Sequence, residues 1–402
     1  MATALSHIRV LDLSRILAGP WAGQMLADFG ADVIKIERPG AGDDTRGWGP
    51  PFVKDQDGQP MDAAYFHSAN RGKKSIAIDM TSTQGQSLIR RLAENVDVVL
   101  ENYKVGGLKK YGLDYESLKA VNPKLIYCSV TGFGQDGPYS SRAGYDFMIQ
   151  AMGGLMSVTG EPDGQPMKVG VALADVMTGL YAANAVQAAL LHRNETGIGQ
   201  HIDMALLDVQ VATLANQAMN FLVGGKAPGR LGNAHPNIVP YEAFATADSH
   251  IILAVGNDGQ FARFCNLAGA PELADNPAFA TNALRVGNRE DLIPLVRDLM
   301  RQRGSQWWLD NLSANGVPSG PINTLDQVFA DEQVQHRNMQ IELDHPQAGK
   351  VPAVANPVKF SETPIQYTSA PPTLGQHTDK VLADLGLNED EITQLKEQKV
   401  VS

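Results

Sequence analysis

The chain has 402 residues, a formal net charge of −11 and 43% apolar content, enough for a large buried core in two or three domains. An acidic balance argues against general nucleic-acid binding, which relies on broad basic surfaces, so an anionic ligand must be met by local basic clusters. The only cysteines, Cys128 and Cys265, lack zinc-site or disulfide-framework spacing and fit a reducing compartment. With no leader pattern and no run of roughly 18 apolar residues, the expectation is a cytoplasmic protein that does not engage a membrane.

In chain order, residues 8–13 form an apolar, strand-like run, Ala18-Gly-Pro-Trp-Ala-Gly23 is a cluster of helix and strand breakers, 24–29 is helical in pattern and 31–37 is apolar again. This predicts a strand, turn, helix, strand unit. Strands are predicted at 74–79, 96–101 and 125–130, with helices at 83–94 and 115–122. Such alternation specifies an α/β fold with a mainly parallel sheet covered by helices. The run Val169-Gly-Val-Ala-Leu-Ala reads as a strand that stops at Asp175, and 175–192 reads as a long helix buried on all sides. A second helical stretch is predicted over 204–222.

The segment 224–240 is rich in Gly, Pro and Asn and marks a linker or a functional loop. Residues 241–322 predict a smaller α/β unit, with a strand at 249–255 and helices near 260–268, 289–301 and 305–315. Six prolines fall between 344 and 374, a stretch expected to run extended as a return path. Asn388 followed by Glu391 predicts a capping box on a final helix. The expected division is 1–222 for the N-terminal part of a large domain, 223–330 for a small domain with its linker, and 331–402 for a return segment that completes the large domain.

Basic residues gather in loops at element ends: Arg38, Asn70-Arg71-Gly-Lys-Lys74, and Lys109-Lys110 shortly after Glu101-Asn102-Tyr103. Ligands of α/β sheets bind at such loops; each cluster taken singly reads as solvated surface, and three together in one α/β half strengthen the case for a polyphosphate-bearing ligand. The first turn offers Gly19 and Gly23 without Gly-x-Gly-x-x-Gly, which argues against a nicotinamide cofactor. His192, His201 and His235 do not fall at metal-ligand spacing, so no metal site is expected. No Gly-x-Ser-x-Gly elbow is present, and Cys128 lies inside an apolar run. Asp175 is the remaining candidate. By position it is either a helix cap or a nucleophile whose charge the helix N-terminus supports.

Several blocks together resemble the class III CoA-transferases, a family that also includes the α-methylacyl-CoA racemases. They are Leu11-Asp-Leu-Ser-Arg-Ile-Leu-Ala-Gly-Pro20, Gly30-Ala-Asp-Val-Ile-Lys-Ile-Glu-Arg-Pro-Gly40 with Gly42-Asp43, Asn70-Arg-Gly-Lys-Lys-Ser75, Glu101-Asn-Tyr103, Ser129-Val-Thr-Gly-Phe-Gly134 with Gly137-Pro138, and Asp175 in its setting. The resemblance covers essentially the whole chain. It implies a Rossmann-like large domain with an inserted smaller α/β domain, and a homodimer of interlocked rings. It also implies that Asp175 attacks an acyl-CoA thioester, with aspartyl anhydride and aspartyl-CoA intermediates. Coenzyme A is then a substrate, not a permanently bound cofactor, and the second substrate is a small carboxylic acid. Carried over by position, CoA contacts are expected at Arg15, Ile16, Ala18, Arg38, Arg71, Lys74, Asn102, Tyr103 and Lys110.

Two departures narrow the activity. The racemase branch carries His-Asp where this chain has Tyr145-Asp146, which leaves the pair of bases for an α-carbon incomplete and favours transfer over racemisation. Formyl-CoA transferase has Gln at the position of Leu17 and a glycine run where this chain has Gly232-Asn233-Ala-His235-Pro236, so a longer acid than oxalate is expected. The Leu17 turn and the His235 loop are similar to dicarboxylate CoA-transferases that use succinyl-CoA and glutarate. A second carboxylate would then want a cation such as Arg15 or Arg46. The alternatives are a racemase-like isomerase and a CoA-binding protein without catalysis.

Overall fold

The computed structural model describes residues 3–402. It divides into two units, one comprising the chain to Leu155 with Val169–Ala218 and Glu332–Ser402, the other Met156–Lys168 with Met219–Asp331.

The first unit begins with β1 (Arg9–Asp12), α1 (Ala18–Asp28) and β2 (Asp32–Glu37). A small hairpin of β3 (Phe52–Lys54) and β4 (Pro60–Ala63) and the short α2 (Ala64–Ser68) lead into β5 (Lys73–Ala77). Then come α3 (Thr83–Ala93), β6 (Val98–Glu101), α4 (Tyr115–Val121), β7 (Ile126–Thr131), α5 (Asp146–Met152), α6 (Leu173–Thr196), β8 (His201–Ala205) and α7 (Leu206–Ala212). The six longer-range strands form one parallel sheet in the order β5-β2-β1-β6-β7-β8. Chain direction across the sheet reverses between β1 and β6. That is the topological switch point of a doubly wound fold, and ligands bind in the crevice beyond the strand C-termini there.

Alternate residues explain why both faces are covered. Val10, Val33, Val98 and Ile126 pack with Ala22 and Leu26 of α1 and with Ala182, Ala183 and Val186 of α6. Their neighbours Leu11, Ile34, Val99 and Tyr127 face α3, α4 and the helices Thr378–Asp384 and Glu389–Glu397. Period-two burial on both faces is what a helix-covered parallel sheet requires. The final helix carries the reciprocal Asn388–Glu391 capping box predicted for it.

Several local expectations are corrected. The breaker cluster at 18–23 is the first turns of α1, because proline and glycine are tolerated where early helical N–H groups have no intrahelical partner. Residues 169–172 are irregular, not a strand, and α6 starts two residues before Asp175. The 204–222 stretch begins inside the edge strand β8 and continues through α7 into α8 (Ala215–Gly224). In the isolated chain α6 is buried on one side only, with Leu180, Tyr181 and Leu191 exposed on the other.

The second unit carries an antiparallel sheet, β9 (Tyr241–Ala245), β10 (His250–Ala254) and β11 (Ser319–Pro321), with β10 central, so it lacks the parallel pairing of the first. Helices Asp258–Leu267, Arg289–Met300 and Ser305–Ala314 bury Phe261, Phe264, Val296 and Trp308 against it. Residues 156–168, expected in the large domain, group with this unit. Arg230 donates to the carbonyls of Glu161, Pro162 and Gly164, and the Gly232 amide donates to Gly160. The proline-bearing return segment is extended only in part, since β12 (Gln340–His345) and β13 (Gly349–Val354) form a hairpin within it.

Candidate active site

A cavity of about 840 Å3 opens in the first unit at the C-terminal ends of β1, β2, β6 and β7. Its wall includes the turn Arg15–Ala18 after β1, Arg38 after β2, Asn102 to Lys104 after β6, and Tyr145, Asp146 and Asp175. Glycines set the approach of these pieces. A Cβ on Gly179 would lie 2.7 Å from the Ala18 carbonyl oxygen and 2.9 Å from Trp21, so only glycine lets α6 pack this closely against the start of α1. Gly132 and Gly144 touch backbone to backbone, which clamps the turn after β7 to the segment entering α5.

Asp175 is the third residue of α6 and does not cap it. The helix N-terminus is satisfied by Asp146, whose Oδ1 accepts the amides of Ala174 at 2.8 Å and Asp175 at 3.3 Å. The other oxygen of Asp146 accepts from Gln150 Nε2 at 2.7 Å, and Gln150 Oε1 accepts from the Val169 amide at 2.9 Å. One carboxylate therefore satisfies the free helix amides while the next is left for the cavity. Burial, and then the charge of Asp146, push Asp175 up from its ordinary 3.8 to about 7. The helix N-terminus would act in the opposite sense, but Asp146 already occupies it. Tyr65 of α2 stands near these groups: burial and the carboxylates of Asp175, Asp146 and Asp43 raise its phenol, keeping it a neutral hydroxyl.

Around the mouth, Arg38, Lys104, Lys110 and Arg142 are exposed cavity residues. Arg15 is paired with Asp44 at 2.8 Å and half exposed. This is a local cationic rim on an acidic protein, as a polyphosphate ligand requires.

The profile of CoA-transferase family III matches residues 5–378. The chain belongs to this family. A succinate–glutarate CoA-transferase of Agrobacterium fabrum is 56% identical over 381 residues, covering 95% of each chain. A succinyl-CoA:glutarate CoA-transferase of Mus musculus is 46% identical, covering 95% of this chain and 86% of its own length. The crystal structure of a CAIB/BAIF family protein from Brucella suis, 53% identical, superposes with a TM-score of 0.84 over 96% of this chain and 100% of that one. The protein is thus an enzyme of the CoA-transferase class.

In this CoA-transferase the cavity gathers Asp175, Tyr145, Asp146, Arg15, Ile16, Ala18, Arg38, Asn102, Tyr103 and Lys110 from the expected set. Arg71 and Lys74 are not brought there. Arg71 is buried and donates to both oxygens of Asp28, at 2.8 and 2.6 Å, and to the Val354 carbonyl. Lys74 pairs at 2.6 Å with Asp32, at the N-terminal end of β2, opposite the strand ends that carry the cavity. Arg46, expected as a cation for a second carboxylate, is buried and fully engaged by Glu37, Asp62 and the Pro372 carbonyl. Gly232, Asn233 and His235 belong to the second unit; His235 lines a separate cavity there with Tyr241 and Arg289, whose guanidinium holds the His235 and Pro236 carbonyls. Sequence reasoning missed Arg142, Lys104, Tyr65 and Gln150. Arg142 and Lys104 sit in loops after strand C-termini, a signal that could have found them; Gln150 has none.

Proposed function

We propose that this enzyme moves CoA from succinyl-CoA to glutarate through covalent intermediates on Asp175. The observation that carries the reading is a carboxylate excluded from helix capping by Asp146 and presented to a cavity with a cationic rim. The names of the two relatives above support succinyl-CoA and glutarate as the substrates.

The steps balance without a net proton. The ionised Asp175 oxygen attacks the thioester carbonyl and CoA leaves as thiolate, forming the succinyl–aspartyl anhydride. The thiolate then attacks the Asp175 carbonyl, releasing succinate and leaving an aspartyl-CoA thioester. Glutarate repeats the two steps in reverse order, and glutaryl-CoA departs with Asp175 regenerated. Thiolate leaves readily, which lets a carboxylate attack the thioester. Arg38, Lys104, Lys110 and Arg142 are assigned to the CoA phosphates, and Arg15, with Arg46 engaged elsewhere, to the free end of the dicarboxylate. A racemase would need two free bases, and Asp146 is occupied by three donors beside a phenol at Tyr145.

The working form is a homodimer with interlocked chains. Support comes from large apolar side chains left exposed on the first unit, among them Tyr145, Phe147, Tyr181, Leu191 and Val211, which is unusual for a monomer. The substrate reading is tested by incubating the enzyme with succinyl-CoA and a panel of free acids and measuring each new acyl-CoA. Glutaryl-CoA should form fastest; a clear preference for oxalate would overturn the assignment.

A further inference from the structure

Ile16, in the cavity-lining turn after β1, has φ +72°. A β-branched residue in the left-handed region is a genuine outlier, and such a conformation persists only where its surroundings over-determine it. Three contacts do so here. Lys35 Nζ donates to the Ser14 carbonyl at 2.7 Å, and Asn102 brackets Arg15 by accepting from its amide at 2.8 Å and donating to its carbonyl at 2.6 Å. Both carboxylate oxygens of Asp43 lie 3.3 Å from the Ile16 amide nitrogen, which donates to them.

Asp43 is itself immobilised. It pairs with Lys35 at 2.9 Å, with both side chains fully buried, and accepts from the Thr45 amide and hydroxyl. Its own amide donates to Glu37 at 2.9 Å. Gly42 precedes it at φ +68°, and a Cβ there would lie 2.7 Å from Arg46 Cδ and 2.9 Å from Glu37, so the packing around Asp43 requires glycine at 42. Burial pushes the Asp43 carboxyl up, but Lys35 and the hydrogen bonds outweigh it and hold the group at about 2, ionised at every working pH.

We propose that Asp43 is a positioning residue for acyl-CoA binding: it holds Ile16 in the left-handed conformation and so sets the Arg15–Ala18 wall of the cavity. The inference rests on the reading that this cavity takes the CoA thioester. If Ile16 relaxed to an ordinary φ, Arg15 on one side and Ala18 on the other would no longer both face the ligand.

The test is a double-mutant cycle of Asp43→Asn and Ile16→Gly, reading kcat and KM for succinyl-CoA and CoA binding by calorimetry. Asp43→Asn should raise KM about tenfold with kcat within about twofold, the signature of lost binding and not lost chemistry. In the Ile16→Gly background the same change should cost less than about threefold, because glycine enters the left-handed region without a clamp. Equal cost in both backgrounds, or an unchanged KM, overturns the proposal. Should Asp43→Asn fail to fold, Ile16→Gly against Ile16→Val decides: glycine should raise Tm and valine should not, and a fall in Tm with glycine contradicts the clamp. Wild-type enzyme that does not bind CoA would sink the reading of the cavity itself, whereas binding wild type with uncoupled variants sinks the clamp alone.

Discussion

Asp146 accepts the backbone amides of Ala174 and Asp175, and through that contact one acidic side chain relieves another of the capping role that its position suggests. The same proximity raises the affinity of Asp175 for a proton, so the two carboxylates are coupled in both structure and charge.

The pH dependence follows from that coupling. The nucleophile must be ionised, and in the free enzyme Asp175 titrates at about 7, so kcat/KM should fall roughly tenfold per pH unit below that value. Asp146→Asn keeps an oxygen for the helix amides but removes the charge. Its acid limb should move to lower pH, short of the ordinary 3.8, because burial is the larger cause of the shift. A pH profile with the limb unmoved in this variant would contradict the coupling.

Stability should change in the opposite direction from activity. Between about pH 4 and 7 the unfolded chain ionises Asp175 while the folded chain keeps it protonated, so the group increasingly disfavours folding as pH rises. Above pH 7 the penalty levels off at roughly 4 kcal/mol for a shift from 3.8 to about 7. Asp175→Asn removes it. The variant should be inactive, still bind CoA, and unfold at a higher Tm than wild type at pH 8, with the difference shrinking toward pH 4.

The rim cations and the buried arginine should behave differently. Neutralising Arg38, Lys110 or Arg142 should raise KM for acyl-CoA several-fold and weaken its dependence on salt, with Tm little changed. Arg71→Ala leaves Asp28 buried without its bidentate partner, a loss of about 3–5 kcal/mol in stability. The enzyme that remains folded should keep its KM. Kinetics and thermal unfolding measured on the same preparations separate the two classes.

The parallel sheet was legible because its strands are short apolar runs separated by helical periods, and β1, β2, β5, β6 and β7 lie within a few residues of expectation. The edge strand β8 was hidden: His201-Ile-Asp-Met-Ala205 is half polar and runs into the apolar helix behind it. The run 169–174 was misread for the converse reason, since an apolar stretch becomes a strand only where a neighbour pairs with it. Lys73 and Lys74 show why loop charge is an imperfect guide. Adjacent strand residues point to opposite faces, so Lys73 is buried against Asp12 while Lys74 reaches Asp32. The cap-or-nucleophile choice at Asp175 could not be made locally, because Asp146, 29 residues earlier, decides it through the fold.

The central claim, that Asp175 carries acyl and CoA groups in turn, is tested most directly by trapping. Enzyme incubated with succinyl-CoA and hydroxylamine, then digested and analysed by peptide mass spectrometry, should show a hydroxamate at Asp175 that forms only when the thioester is present. An active enzyme that turns over under these conditions with Asp175 unmodified would contradict the covalent mechanism.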